Sequence, residues 1–265
     1  MTVRITNARY RQIANSAGGR GCNFGRMGKL YLLILLLFTN SLFAQNDTTA
    51  CTLPCYIVPS ALITYGIITR FSADLQNFDH KIDEKVQQNI HRQYKFDDYI
   101  QYVPYAGIYG LDLCGVKAKH RLLDRMLVLG TSTIFAMAAV HSTKYCTQIV
   151  RPDGSNNHSF PSGHTTTAFL GAHILFREYK AVSPWIGAAG YGVALATASM
   201  RIINRKHWLS DVVTGAGVGI LCAELAYLML PVWHTLFKIK QECKCLAICP
   251  IVTENGFGIG GIAVF

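Results

Sequence analysis

Charged residues are scarce in this chain, and several common functional motifs are missing from it. Only 15% of the 265 residues are Asp, Glu, Lys or Arg, whereas 51% are hydrophobic. The sequence contains no glycine-rich dinucleotide motif, no P-loop and no tandem repeat. The composition is typical of a membrane protein, and the length suits one domain of several helices.

Acidic residues are absent from the first 26 residues, which contain five arginines. Half of the net charge of +10 therefore lies in this short segment. The other basic residues lack the aromatic interleaving of a nucleic-acid surface and flank apolar segments instead. We therefore predict a membrane topology signal and no nucleic-acid partner.

The nine cysteines follow no standard zinc pattern. The cluster Cys243, Cys245 and Cys249 has no nearby histidine to complete a site, so no metal site is predicted. Cys51 and Cys55 could form a disulfide if they lie outside the cytoplasm.

The N-terminal part of the chain reads as a processing segment followed by an interfacial one. Residues 27–44 combine a basic start, an apolar core and a small residue at Ala44, which indicates a signal peptide. Residues 1–26 would then be an over-extended reading frame, with Met27 as the natural start; the alternative is an uncleaved anchor helix. Residues 45–97 are predicted to be periplasmic or interfacial, with an amphipathic helix over 71–95 that lies on the bilayer or on the domain. The apolar stretch 56–69 is short and contains Pro59, so it is not predicted as a confident span.

The rest of the chain predicts an all-α, polytopic transmembrane helix bundle of five or six spans. The spans are placed near 99–115, 122–142, 163–178, 184–203 and 211–233 within a domain over 98–236. Basic segments at 116–121, 177–180 and 237–240 are predicted to lie together in the cytoplasm, which places the intervening loops on the other side. Asp112 would need a buried partner. The cytoplasmic tail, 237–265, contains Asn255-Gly256 between apolar runs and could form a β-hairpin.

Five residues at the ends of apolar segments could hold an anion. Lys144, Arg151 and Arg201 offer charge-assisted donors suited to a phosphoryl group. Ser162 is the expected N-cap of the following helix, and Gly163 allows the backbone to approach a ligand bound by the first helical N–H groups.

Two histidines and one aspartate remain for chemistry. His207 and Asp211 are spaced i, i+4, which puts them on one face of a helix. A carboxylate on one imidazole nitrogen would leave the other free to attack phosphorus. His164 would then protonate the leaving oxygen and later activate water. None of these steps requires a metal.

The arrangement of these residues resembles the three-part signature of the type 2 phosphatidic acid phosphatase superfamily. The matching segments are Lys144-x6-Arg151-Pro152, Pro161-Ser162-Gly163-His164 and Arg201-x5-His207-x3-Asp211. The resemblance implies that His207 is the nucleophile, Asp211 orients it and His164 is the acid/base. It also implies phosphate binding by Lys144, Arg151, Ser162, Gly163 and Arg201. The serine often found before the third-motif arginine is Met200 here, so no serine ligand is expected at that position.

The resemblance implies a membrane-bound lipid phosphate phosphatase that needs no cofactor and forms a phosphohistidine. Its substrate would be a lipid phosphomonoester or diphosphate: phosphatidic acid, phosphatidylglycerol phosphate, undecaprenyl diphosphate or lipid A. The expected location is the bacterial inner membrane, with the site facing the periplasm. A lipid phosphotransferase, and a catalytically silent scaffold or transporter of the same fold, remain alternatives. A vanadium haloperoxidase is disfavoured because those relatives are soluble. The sequence does not determine the oligomeric state.

Overall fold

The computed structural model describes residues 54–90, 96–238, 245–253 and 256–264. These residues form eight helices and two strands. The helices are α1 (Pro54–Thr69), α2 (Ala73–Asn89), α3 (Asp97–Ile100), α4 (Val103–Leu113), α5 (Leu122–Thr147), α6 (Gly163–Tyr179), α7 (Pro184–Ile203) and α8 (Leu209–Leu236), and the strands are β1 (Cys245–Thr253) and β2 (Gly256–Val264). The predicted signal peptide lies outside the described residues. Cys55 is disulfide-bonded, and its predicted partner Cys51 also lies outside them.

Helix α8 is the centre of the bundle and packs against α1, α5 and α6. Glycine lets it approach two of these neighbours backbone to backbone. A Cβ atom built on Gly219 would lie 2.4 Å from the Thr166 carbonyl oxygen of α6, and one on Gly217 would lie 2.7 Å from the Pro59 carbonyl oxygen of α1. Contacts this short leave no room for a side chain, so the glycines fix how the helices cross.

Among the described residues, three helices are long and apolar enough to cross a membrane: α5, α7 and α8. They coincide with the predicted spans 122–142, 184–203 and 211–233. The outer faces of α5 and α7 expose large apolar side chains, among them Ile134, Met137 and Leu195. Such faces suit contact with lipid chains.

The other two predicted spans take a different form. The segment 99–115 is not one continuous helix: α3 ends at Ile100, and α4 starts at Val103 with Pro104 in its first turn. Proline favours a helix start and disfavours helical backbone before it, which explains the break. At 11 residues, α4 is about 16 Å long, half the ~30 Å hydrocarbon layer. Helix α6 covers the predicted 163–178 but is largely enclosed by its neighbours.

Two of the predicted basic segments, 116–121 and 177–180, meet at one end of the bundle, and the third, 237–240, lies partly outside the described residues. The backbone N–H of Lys119 donates to the carbonyl oxygen of Glu178, and the N–H of His120 donates to the Glu178 carboxylate. The loop before α5 and the end of α6 therefore share one side, as the charge pattern predicts. Asp112 also finds its partners near this end, since Arg125 and the Tyr179 hydroxyl both bond to its carboxylate.

The amphipathic segment forms α2, which contacts the domain. Arg205 makes a bidentate salt bridge to Asp83, with both distances 2.7 Å. The His80 ring meets the Trp208 indole edge-on at 4.7 Å between centroids. Helices α1 and α2 thus pack on the same body as the helices of the predicted domain over 98–236.

Strands β1 and β2 are antiparallel and pair from Cys245 opposite Val264 to Thr253 opposite Gly256. The two apolar runs of the predicted tail provide these strands, and Asn255 of the predicted turn lies outside the described residues.

Candidate active site

The three motif segments come together at the end of the bundle opposite the basic segments. Helix α5 ends at Thr147, and the left-handed backbone of its C-cap Gln148 (φ 46°) stops the helix within one turn of Lys144. The following loop is bound to the α7–α8 loop by the Asp153 N–H, which donates to the Arg205 carbonyl oxygen at 3.1 Å. The N–H of Ser162 donates to the Asp211 carbonyl oxygen at 3.0 Å, which joins the start of α6 to the start of α8.

His207 is buried and has one ring nitrogen engaged. Its Nδ1 lies 2.7 Å from the carbonyl oxygen of Ser159. A carbonyl oxygen can only accept, so this contact places the ring proton on Nδ1 and leaves Nε2 as the unprotonated nitrogen. Burial lowers the pKa of His207 to about 4, with further lowering from the charges of Lys144 and Arg201, while Asp211 opposes the shift. The imidazole is therefore neutral near pH 7.

Asp211 contacts His207 differently from the sequence prediction. Helix α8 begins at Leu209, so His207 precedes the helix and the two residues do not share a helical face. Asp211 instead occupies the third helical position, where its Oδ2 accepts the backbone N–H of Trp208 at 3.0 Å and the hydroxyl of Ser159. Its Oδ2 lies 3.8 Å from His207 Nδ1. Asp211 can stabilise a positive imidazole through space, while Ser159 fixes the tautomer.

The two predicted arginines of the site are poorly satisfied by the protein. The buried Nε atoms of both Arg151 and Arg201 have no hydrogen-bond partner among the described residues. Arg201 also forms a 2.5 Å salt bridge from Nη1 to Asp97. Burial and the charge of Arg201 lower the pKa of Arg151, so the two cations are close enough to repel each other. Buried N–H groups without an acceptor, on repelling cations, suit an anionic ligand.

Lys144 is the third predicted cation. Its Nζ donates to the carbonyl oxygen of His158 at 2.9 Å, which leaves two ammonium protons for other acceptors. The contact ties the end of α5 to the loop that carries Ser159. Lys144 therefore lies beside the nucleophile loop, and its charge is felt by His207.

Ser162 is the N-cap of α6, as predicted, with extended backbone (φ −74°, ψ 111°). Its hydroxyl pairs with the Thr165 hydroxyl at 2.9 Å and does not accept from a backbone N–H. A Cβ atom on Gly163 would meet Val140 at an ordinary 3.7 Å, so packing alone does not demand glycine there. The first N–H groups of α6 are of the kind that bind anions at helix N-termini.

His164 is held by a residue that sequence reasoning did not identify. Its Nε2 lies 2.9 Å from Asp98 Oδ1, and the same oxygen lies 3.6 Å from Arg201 Nη1. Asp98 belongs to the short helix α3, next to Asp97. Helix α3 thus supplies one carboxylate to Arg201 and another to His164.

Four further residues complete the site, and the motif spacing does not reveal them. They are Ser159, which contacts both His207 and Asp211, and a group around Asp211 made of Arg70, Asp79 and Ser210. Ser210 lies inside a motif segment and Ser159 lies between two of them, so both could have been considered. Arg70 and Asp79 lie outside the motif segments. The sequence signal for Arg70 is its position as a charged residue directly after the apolar stretch 56–69.

Comparison with known proteins gives one family and several similar chains. The family model of the PAP2 superfamily matches residues 125–234. Lipid A 1-phosphatase from Porphyromonas gingivalis is 34% identical over 224 residues, covering 74% of this chain and 49% of that protein. The chain therefore spans about half the length of this curated relative.

Two solved structures are also similar. Crystal structures of LpxE from Aquifex aeolicus (21% identity, TM-score 0.41) and of a transmembrane PAP2-type phosphatidylglycerolphosphate phosphatase from Bacillus subtilis (20% identity, TM-score 0.43) resemble the chain. They cover 57% and 69% of this chain, and 93% and 98% of their own chains, respectively.

The matched range of the family model runs from Arg125 in α5 to His234 near the end of α8. It contains all eight site residues predicted from the sequence. The resemblance noted in the sequence is thereby confirmed: residues 125–234 of this chain match the PAP2 superfamily.

Proposed function

We propose that the chain is a membrane-bound lipid phosphate phosphatase that works through a phosphohistidine. The observation that carries this proposal is the neutral, buried His207, with Nδ1 bound to Ser159 and the charges of Lys144 and Arg201 close by. A nucleophile of this kind needs a free ring nitrogen and cations that stabilise the charge on the transferred group.

In the first step, His207 Nε2 attacks phosphorus and the bond from phosphorus to the lipid oxygen breaks. Arg151, Arg201 and Lys144 hold the non-bridging oxygens, together with the first N–H groups of α6. His164 gives its proton to the departing lipid oxygen. The imidazole carries positive charge once it is phosphorylated, and the nearby Asp211 carboxylate stabilises that charge.

In the second step, water attacks the phosphohistidine. The now neutral His164 takes a proton from the water, the phosphorus–nitrogen bond breaks, and inorganic phosphate leaves. Asp98 Oδ1, 2.9 Å from His164 Nε2, orients the imidazole and stabilises its protonated form against the opposing effects of burial and the Arg201 charge.

The substrate is proposed to be a lipid because the site lies at one end of a bundle with three helices suited to spanning a membrane. The relative from P. gingivalis is a lipid A 1-phosphatase, which makes a lipid A phosphate the first candidate. Phosphatidic acid, phosphatidylglycerol phosphate and undecaprenyl diphosphate are the others. We place the protein in the bacterial inner membrane with this end facing the periplasm, since the basic end belongs in the cytoplasm.

The test is phosphate release from these four lipids by purified protein in detergent, beside His207→Ala. Release from one lipid, lost in a folded mutant, supports the reaction and names its substrate. A second measurement follows ³²P from the lipid into protein under alkaline quench, where phosphohistidine survives. His164→Ala should take up label and lose it more slowly than the wild type because both proton transfers are slowed, whereas His207→Ala should take up none.

Label that leaves the lipid and appears on another acceptor instead of inorganic phosphate would indicate a phosphotransferase. No label and no release, from a folded wild-type sample, would favour the silent scaffold.

A further inference from the structure

Arg70 reaches the site from α1, outside the range that the family model matches. Its Nη2 donates to the hydroxyl of Ser210 and, at 3.3 Å, to Oδ1 of Asp211. The guanidinium carbon lies 5.1 Å above the centre of the Phe160 ring, a cation–π distance. Arg70 is thus fixed at three points beside the start of α8.

The packing of α1 determines where Arg70 lies. A Cβ atom on Gly66 would overlap Thr214 of α8, at 1.6 Å from its Oγ1. Together with the close approach at Gly217, this contact holds the last turn of α1 directly against the first turns of α8. Arg70 follows that turn immediately, so its position is set by a helix crossing and not by a mobile loop.

Asp79 of α2 supports the same arrangement from the other side. It is buried, and its Oδ2 accepts the Ser210 hydroxyl at 2.5 Å while its Oδ1 accepts the Ser210 N–H at 3.3 Å. Its Oδ2 also lies 3.6 Å from Arg70 Nη2. The residue next to Asp211 is therefore held by both N-terminal helices.

Asp211 needs a cation because it has no solvent exposure. A buried carboxylate loses its hydration and stays ionised only when charges and hydrogen bonds replace the lost water. Trp208 N–H and the Ser159 hydroxyl bond to Oδ2. Among the described residues, Arg70 is the one arginine or lysine in salt-bridge contact with Asp211.

We propose that Arg70 is a positioning residue that orients the Asp211 carboxylate and partly compensates its charge, and that it acts on His207 only through Asp211. The proposal rests on the proposed function for its kinetic consequences. It distinguishes Arg70 from Lys144, Arg151 and Arg201, which are assigned to the phosphoryl group.

The kinetic test compares Arg70→Gln and Arg70→Lys with Asp83→Asn as the matched control. Asp83→Asn also breaks an ion pair of α2, the one to Arg205, but touches neither Asp211 nor His207. Arg70→Gln should lower kcat by about 10- to 100-fold, as lost outer-shell partners do at metal sites, with KM changed by less than about threefold. Arg70→Lys should recover part of kcat, and Asp83→Asn should retain wild-type kinetics.

A merely structural role would not move the titration of His207. The charges that face His207 are Asp211 of α8, Lys144 of α5 and Arg201 of α7, and all three stay in Arg70→Gln. Removing Arg70 leaves the Asp211 charge less compensated, so the acid limb of kcat/KM should move to higher pH. The same shift should appear in ¹⁵N-histidine NMR titration, with His207→Ala used for assignment.

Three results would overturn the proposal. A KM, or an inhibition constant for inorganic phosphate, that rises tenfold in Arg70→Gln at unchanged kcat would make Arg70 a phosphate ligand. A kcat and KM in Arg70→Gln equal to those of the wild type would show that Arg70 has no specific role. Equal losses of kcat in Arg70→Gln and Asp83→Asn would show the same. If Arg70→Gln does not fold, Arg70→Lys and Asp79→Asn take its place in both measurements.

The NMR titration needs no turnover, so it separates this proposal from the proposed function. If the wild type shows no activity but the His207 pKa rises in Arg70→Gln, the proposed reaction is rejected and the positioning role of Arg70 is supported. An unchanged His207 pKa would reject the positioning role whatever the activity.

Discussion

The crossing of α6 and α8 gives a quantitative prediction, since it depends on glycine. A Cβ atom on Gly219 would lie 2.4 Å from the Thr166 carbonyl oxygen and 3.0 Å from the Leu170 nitrogen. Both atoms belong to the backbone of α6 and cannot rotate away. Gly219→Ala therefore requires the two helices to separate.

Two opposing effects set the size of the change. Overpacking of a well-filled interface costs about 1–3 kcal/mol. Alanine in place of glycine inside a helix stabilises by about 0.5–1 kcal/mol. The clash is with rigid atoms, so we expect the overpacking to dominate and the unfolding free energy to fall by about 1–2 kcal/mol. For a chain of this size that corresponds to a Tm lower by about 2–8 °C.

Gly192→Ala is the matched control. A Cβ atom on Gly192, in the interior of α7, would meet nothing within 4 Å. Only the helix-propensity effect applies there, so this variant should be as stable as the wild type or more stable. The assay is thermal unfolding of both variants in the same detergent.

Activity gives a second readout of the same change. Thr166 lies within the first turn of α6, two residues after His164, so a displaced α6 moves the anion-binding end of the helix. Phosphate release should fall in Gly219→Ala at temperatures where the protein is still folded. A Gly219→Ala protein with the Tm of the wild type or above, or a Gly192→Ala protein that loses as much, would refute the packing argument.

Four other predictions concern the chemistry. Because burial lowers the pKa of His207 to about 4, its protonation should contribute no acid limb to kcat/KM above about pH 5, after correction for ionisation of the substrate; a limb near 6.5 that coincides with the His207 titration in NMR would contradict this. Between about pH 6.5 and pH 4, His207 binds a proton in the unfolded chain but not in the folded protein. The unfolding free energy should therefore fall as the pH drops through this range. His207→Gln should reduce this pH dependence in denaturation experiments. Asp211→Asn should lower kcat by about 10- to 100-fold with little change in KM, since Ser159 still holds His207 Nδ1, and an unchanged kcat would remove its role. EDTA should leave turnover intact, and loss of activity restored by a divalent ion would overturn the metal-independent mechanism.

The chemistry-bearing residues were accessible from the sequence because they lie in short segments at helix ends. Ser162 as the N-cap of α6 follows from its place before an apolar run, and the spans 122–142, 184–203 and 211–233 follow from hydropathy. The i, i+4 spacing of His207 and Asp211 predicts that the two residues share a helical face, and this prediction is wrong. Helix α8 starts two residues after His207, and such boundaries depend on which backbone groups find partners.

The break at 99–115 shows a second limit of pattern reading. An apolar stretch of that length predicts a span, but Pro104 starts a new helix and leaves Asp97 and Asp98 on a separate turn. That turn is what brings carboxylates to Arg201 and His164. Hydropathy averages over such a break and cannot detect it.

Local composition and spacing are enough to predict the family resemblance, the apolar helices and the eight residues of the three motifs. Which groups hold those residues in place follows from the tertiary structure alone. Arg70 and Asp211 are 141 positions apart, and Asp97 and Arg201 are 104 apart. Contacts over such separations arise from how helices cross, here through glycines that let α1 and α6 approach α8, and no periodicity along the chain records which charges those crossings bring together.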